Sequence, residues 1–179
     1  MNIPNILTVL RVILVPMYLY FFFNSENNSL LYSGIIFIIA GLTDALDGRI
    51  ARKYNLTSKV GAALDPLADK LMTFAVLISF TIGKLIPSWV LLILGAKEIL
   101  MITGGLILYL FKGNKVLPSN KFGKGATISF YVAILAIVLD ISFFSLQEVL
   151  IIITVSLNVI AFMNYLRIFL SKDKEEDFL

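Results

Sequence analysis

The sequence predicts an all-α, polytopic membrane protein of six transmembrane helices, and three observations carry that prediction. First, 59% of its 179 residues are hydrophobic, only 15% are charged, and the mean hydropathy is +0.91, far from the makeup of a soluble domain. Second, apolar stretches recur along the whole length, each close to the roughly 20 helical residues that cross about 30 Å of hydrocarbon. Third, the segments between them alternate between basic and nearly uncharged. Six crossings nearly exhaust the chain, so residues 1–179 read as a single membrane domain, and any chemistry has to be built from helices and short loops.

The first helix is expected over 6–23. Pro4 suits a first helical turn, Pro16 favours a kink, and Arg11 interrupts the apolar run. Two readings of Arg11 stand here: residues 3–11 form an interfacial stretch that turns into the crossing helix, or one bent span lets Arg11 snorkel to the headgroups. A secretory signal is not expected, because no basic leader or small-residue cleavage site flanks this stretch.

Asn24 to Ser29 breaks the chain before a second helix at 30–53, and Asn55 to Ser58 breaks it before a third at 61–82. The Gly83 to Ser88 turn precedes a fourth helix at 87–111, and Gly113 to Asn120 precedes a fifth at 122–140. Asp140 to Ser145 then leads to a sixth at 146–170. The remainder, 171–179, mixes charges of both signs without apolar periodicity and reads as a flexible, solvated tail.

Orientation follows from the lysines and arginines. Arg52, Lys53 and Lys59 flank the second loop, and Lys112, Lys115, Lys121 and Lys124 surround the fourth, whereas the odd-numbered loops hold only Lys84. The positive-inside rule puts the basic loops and both termini in the cytoplasm of a cell whose plasma membrane this chain crosses several times. The net charge of +3 is modest and gives no reason to expect a nucleic-acid partner.

The chain has no cysteine and no histidine, which removes disulfides, thiolate nucleophiles, haem ligation and the usual zinc sites. Carboxylates remain as the strong metal ligands. Four of the twelve acidic residues lie in LTDALDGRIARKYNLTSKVGAALDPLADKL, residues 42–71. Asp44 and Asp47 are three apart and Asp65 and Asp69 four apart, so each pair shares a face of its own helix, and the short intervening loop returns the two helices side by side.

Four carboxylates converging at membrane depth repel one another and need neutralising. Two magnesium ions would supply four positive charges and a seat for phosphate oxygens; manganese is the other candidate. Gly48 removes a side chain where a nucleotide could approach, Gly61 opens the start of the next helix, and Arg52 is placed to meet phosphate. A single intramembrane aspartate is usually a packing ion pair and a single glycine a close helix contact. That bland reading does not account for four acids, two glycines and an arginine gathered in one short stretch.

The pattern DxxDGxxARx8GxxxDxxxD is present without a mismatch as Asp44, Asp47, Gly48, Ala51, Arg52, Gly61, Asp65 and Asp69. It resembles the signature of the CDP-alcohol phosphotransferase family, over residues 3–170. The resemblance implies that Asp44, Asp47 and Asp65 are the principal metal ligands and that Asp69 is the base that takes the acceptor's hydroxyl proton and also reaches the second metal. The opening NIPNILTVLR is similar to that of the phosphatidylglycerophosphate synthase branch, which favours an N-terminal interfacial helical segment at 3–11. By the same resemblance Asn5, Thr8, Arg11, Gly48, Ala51, Arg52, Ser58 and Gly61 contact a CDP-lipid, CDP-diacylglycerol.

The implied acceptor is a small phosphorylated alcohol, glycerol 3-phosphate, with Lys97, Lys121, Lys124 and Thr127 as candidate contacts. Here the chain departs from that branch, which typically carries Arg-Glu on the fourth helix and GKxKT before the fifth. This chain has Lys97 and Glu98, then Gly123, Lys124, Gly125, Ala126 and Thr127. Lysine lacks the bidentate fork of arginine, so a phospholipid acceptor, phosphatidylglycerol in a cardiolipin synthase, is the alternative within the family. From another class, a proton-coupled transporter also uses intramembrane carboxylates. Gly95, Gly104 and Gly105 offer a helix interface for a homodimer.

Overall fold

Among the described residues six helices follow one another: α1 (Ile3–Asn24), α2 (Ser29–Tyr54), α3 (Lys59–Ile82), α4 (Ser88–Phe111), α5 (Lys121–Val138) and α6 (Leu146–Glu176). This computed structural model describes residues 3–25, 28–54, 59–111, 121–141 and 145–176, with side chains for 7–25, 28–46, 70–105, 122–141 and 145–167. The breaks fall where Asn, Gly, Pro and Ser interrupt the apolar runs. One boundary differs: α6 continues to Glu176, through most of the stretch expected as a flexible tail. Lys and Glu are strong helix formers whatever their hydropathy, so 171–176 prolong the helix past its apolar part; 177–179 lie outside the described residues.

Among the described residues, four segments are long and apolar enough to cross a membrane: Leu7–Asn24, Ser29–Leu46, Ser88–Gly105 and Leu146–Arg167. The described side-chain stretches of α3 and α5, Lys70–Ile82 and Phe122–Val138, are apolar but shorter. Among the described residues, length and composition therefore assign a crossing to four helices.

The chain divides into two units, Met1–Ile86 and Pro87–Leu179. In the first, α1 packs on α2 and α3. Its buried residues Thr8, Arg11, Leu14 and Tyr18 recur at three- and four-residue steps and so form one face. The opposite face exposes Val9, Ile13, Met17 and Tyr20, an apolar surface that suits hydrocarbon rather than water. On α2 the facing residues are Ser33, Phe37 and Ala40 and on α3 Val76, Ser79 and Phe80, all buried. Small residues in this set let the helices approach closely. Gly83 does the same at the end of α3, where an added Cβ would lie 3.2 Å from the Phe22 ring.

No break separates residues 3–11 from the rest of α1, and Pro16 sits inside the helix without ending it. Proline there withholds one backbone donor, a loss that membrane helices accommodate. Several hydroxyls are tied to carbonyls of their own helix, as in Ser33 to Leu30 O and Thr43 to Ala40 O, which satisfies them without water.

In the second unit α6 packs against α4 and α5. Val90, Leu94 and Glu98 make the buried face of α4, and Ile151, Thr154, Val155, Asn158 and Ala161 that of α6. Two helix ends are closed alike. At Lys84 (φ 57°) and Asp140 (φ 47°) the backbone turns left-handed. The next amides, Leu85 and Ile141, reach back to Phe80 O at 2.8 Å and Ala136 O at 3.0 Å, the Schellman closure that satisfies orphan carbonyls.

Candidate functional site

The signature residues occupy two helices of the first unit. Asp44, Asp47, Gly48, Ala51 and Arg52 are positions on α2, and Gly61, Asp65 and Asp69 on α3. At roughly 100° per residue, Asp44, Asp47, Gly48 and Ala51 fall within one sector of α2, and Gly61, Asp65 and Asp69 form one stripe on α3. The two helices pack against each other, and α1 packs against both. The backbone thus puts both halves of the signature on neighbouring helices of one unit. The side chains of Asn5, Asp47, Gly48, Ala51, Arg52, Gly61, Asp65, Asp69 and Lys121 lie outside the described residues, as does Ser58 altogether.

Asp44 is the signature carboxylate whose side chain is described. Its Oδ1 accepts from Arg11 Nη1 at 2.8 Å. The pair is asymmetric: the arginine side chain is 1% exposed and the aspartate 45%. Thr8, one turn before Arg11 on the same face of α1, is buried as well. The snorkelling reading of Arg11 is thus corrected: its guanidinium turns inward to a carboxylate, where a charge-assisted bond replaces the hydration that headgroups would have given.

Further along α1, the Tyr18 hydroxyl lies 2.7 Å from Ser79 Oγ on α3. Phe22 stacks on Phe80 with ring centroids 5.8 Å apart. These contacts hold α1 against α3 while Arg11 holds it to α2, so the first helix is clamped at two levels. The clamp fixes Thr8 and Arg11 beside the start of the signature.

The candidate acceptor residues lie in the second unit. Lys97 Nζ donates to Glu98 Oε1 at 2.5 Å and to Asn158 Oδ1 at 3.0 Å. Asn158 Nδ2 in turn donates to Thr154 O at 2.9 Å, and Thr154 Oγ1 to Ser129 O at 3.0 Å. This buried polar relay joins α4, α6 and α5. Lys124 is exposed on the first turn of α5. Thr127, also exposed, gives its hydroxyl hydrogen to Gly123 O at 3.1 Å.

Asn158 and Thr154 were not singled out from the sequence. The signal was present: two polar residues four apart inside the most apolar stretch of α6 share one face. The pairing of Arg11 with Asp44 left no such signal, because nothing in either segment sets their register.

The set of strong donors in the signature is all carboxylate oxygen, which suits a hard divalent cation such as magnesium. Asp44, held by an arginine yet half-exposed, fits a ligand that remains reachable from outside the helix pair.

Comparison with known proteins shows the family. A family model described as CDP-alcohol phosphatidyltransferase matches residues 1–160. A protein of Aquifex aeolicus named CDP-diacylglycerol–glycerol-3-phosphate 3-phosphatidyltransferase is 35% identical over 173 residues, covering 92% of this chain and 94% of the relative. A Bacillus subtilis protein of the same name is 34% identical over 150 residues, 77% of each chain. A Mycobacterium tuberculosis protein, provisionally named a cardiolipin synthase, is 34% identical over 139 residues, 78% of this chain. The match spans 65% of the length of that mycobacterial relative.

Proposed function

Because this chain belongs to the CDP-alcohol phosphatidyltransferase family, we propose that it is a membrane phospholipid synthase. It transfers the phosphatidyl group of CDP-diacylglycerol to glycerol 3-phosphate, giving phosphatidylglycerophosphate and CMP. The observation that carries this reading is the nearly end-to-end likeness to the Aquifex aeolicus relative of that name. The same likeness supports the enzyme over the transporter alternative.

In this reading Asp44, Asp47, Asp65 and Asp69 hold two magnesium ions, with manganese as a substitute. Bound there, the ions would neutralise the pyrophosphate of the CDP-lipid and spread the charge of the departing CMP. The chain supplies the rest. Gly48, Ala51 and Gly61 leave room for the nucleotide, while Arg52, Arg11, Thr8, Asn5 and Ser58 contact its polar atoms. Asp69 accepts the proton of the acceptor hydroxyl as that oxygen bonds to the phosphatidyl phosphorus and the bond to the CMP oxygen breaks.

Lys121 and Lys124 give positive charge to the phosphate of the acceptor, with Thr127 one turn on. Lys97 contributes less net charge because Glu98 shares its ammonium. That neutral pair is the specific feature favouring phosphatidylglycerol as a second acceptor. All six helices cross the plasma membrane in this reading, residues 3–11 lie at the interface, and both termini and the site face the cytoplasm. A homodimer through the glycines of α4 belongs to the same proposal.

The test is an assay of purified protein with CDP-diacylglycerol and magnesium, in which glycerol 3-phosphate and phosphatidylglycerol are offered separately. The expected result is CMP release and phosphatidylglycerophosphate with the first acceptor. Reaction with phosphatidylglycerol alone would overturn the acceptor, and no CMP with either would overturn the reaction.

A further inference from the structure

We infer that Arg11 is a built-in counter-cation which occupies Asp44 ahead of a divalent ion and so weakens ion binding until nucleotide phosphates arrive. The inference rests on the reading of Asp44 as a metal ligand and extends it to the order in which the site fills.

The asymmetry of the pair is the starting point. An exposed surface ion pair would leave both partners wet, and an aspartate serving a metal alone would need no arginine. Here the cation is 1% exposed and its carboxylate 45%, with Nη1 to Oδ1 at 2.8 Å. A guanidinium sealed between apolar helices is costly unless it is paired, and Asp44 supplies a partner. The arginine has little freedom to leave. Leu14 and Tyr18 continue its face of α1 into the core, and Tyr18 is bonded to Ser79 on α3.

The consequence is electrostatic. A divalent ion that binds Asp44 gains, as the neighbour of its ligand, a fixed positive charge in a medium that screens poorly. Repulsion from that charge lowers the affinity for the bare ion. A pyrophosphate brings negative charge that offsets the ion and the arginine together, so each favours the other's binding; such coupling is reciprocal and typically about 5- to 150-fold. Without the nucleotide, the arginine balances one carboxylate of the signature and lets the acidic helix pair persist in the bilayer.

The test uses full-length protein in detergent micelles with manganese as the probe, free ion being followed by electron paramagnetic resonance and no lipid substrate added. Arg11→Met should bind manganese about tenfold more tightly than the parent. Arg11→Gln, which keeps amide donors for Asp44 without the charge, should shift the same way and covers the case in which Arg11→Met does not fold. Arg11→Lys should stay near the parent. Equal or weaker binding in Arg11→Gln, in a chain where Asp44→Asn lowers manganese binding, overturns the role of Arg11 alone. Binding that Asp44→Asn leaves unchanged overturns instead the reading of Asp44 as a ligand.

Discussion

Lys97 on α4 and Asn158 on α6 are joined by a 3.0 Å hydrogen bond from ammonium to amide oxygen, with Glu98 Oε1 on the same ammonium. Because Asn158 also donates to Thr154 O, one amide stitches the α4 cation to the α6 backbone. Asn158→Leu should therefore lower stability by about 0.6–1.7 kcal/mol, the range for hydrogen bonds between membrane helices. Lys97→Met should cost more, since it removes the cation beside the buried Glu98. The double variant should lose less than the two single losses combined. Thermal unfolding in detergent, followed by circular dichroism, reads all three.

The bond between Tyr18 and Ser79 has a direction that a second contact reveals. Ser79 Oγ also lies 3.1 Å from Val76 O, and a hydroxyl has one hydrogen, so Ser79 donates to its own helix and Tyr18 donates to Ser79. The two deletions are then unequal. Tyr18→Phe leaves Ser79 with its carbonyl partner and should cost less than about 1 kcal/mol. Ser79→Ala leaves the tyrosine hydroxyl buried without its acceptor and should cost about 1–3 kcal/mol. Equal losses in the same unfolding assay would contradict the assigned direction.

Both Schellman closures use a residue with a Cβ where glycine is the usual choice. Lys84 sits at φ 57° and Asp140 at φ 47°, a region that disfavours side chains by about 1–2 kcal/mol but is tolerated better by Asp. Lys84→Gly should raise stability by about 0.5–1 kcal/mol, and Asp140→Gly by less. The order of the two gains in chemical or thermal unfolding checks the argument.

What the sequence disclosed follows the physics that each feature obeys. Helix number and approximate bounds were legible because the hydrophobic run and its breakers are local: Asn24 to Ser29 and Gly83 to Ser88 end helices within a few residues of the expected positions. The end of α6 was missed because hydropathy reports solvent preference, whereas Lys and Glu continue a helix through backbone propensity. The signature was legible because helical periodicity puts Asp44 with Asp47, and Asp65 with Asp69, on shared faces. The partner of Arg11 was hidden. Whether a charge inside an apolar run snorkels or pairs depends on how α1 registers against α2, which is a property of the packed helices and not of either segment.

The division of labour proposed for the aspartates separates two measurements usually taken together. Asp44→Asn should lose both manganese binding and CMP release, because an amide is a poorer ligand for a hard cation than a carboxylate. Asp69→Asn should lower CMP release by at least about 10²-fold, since the amide cannot take the hydroxyl proton. It should nevertheless retain more manganese than Asp44→Asn if, as proposed, Asp69 adds to the binding of one ion only. Chelation of the parent enzyme with excess EDTA should abolish turnover, and magnesium should restore it. If Asp69→Asn loses manganese as completely as Asp44→Asn, its carboxylate is chiefly a ligand, and the proton must leave by another group.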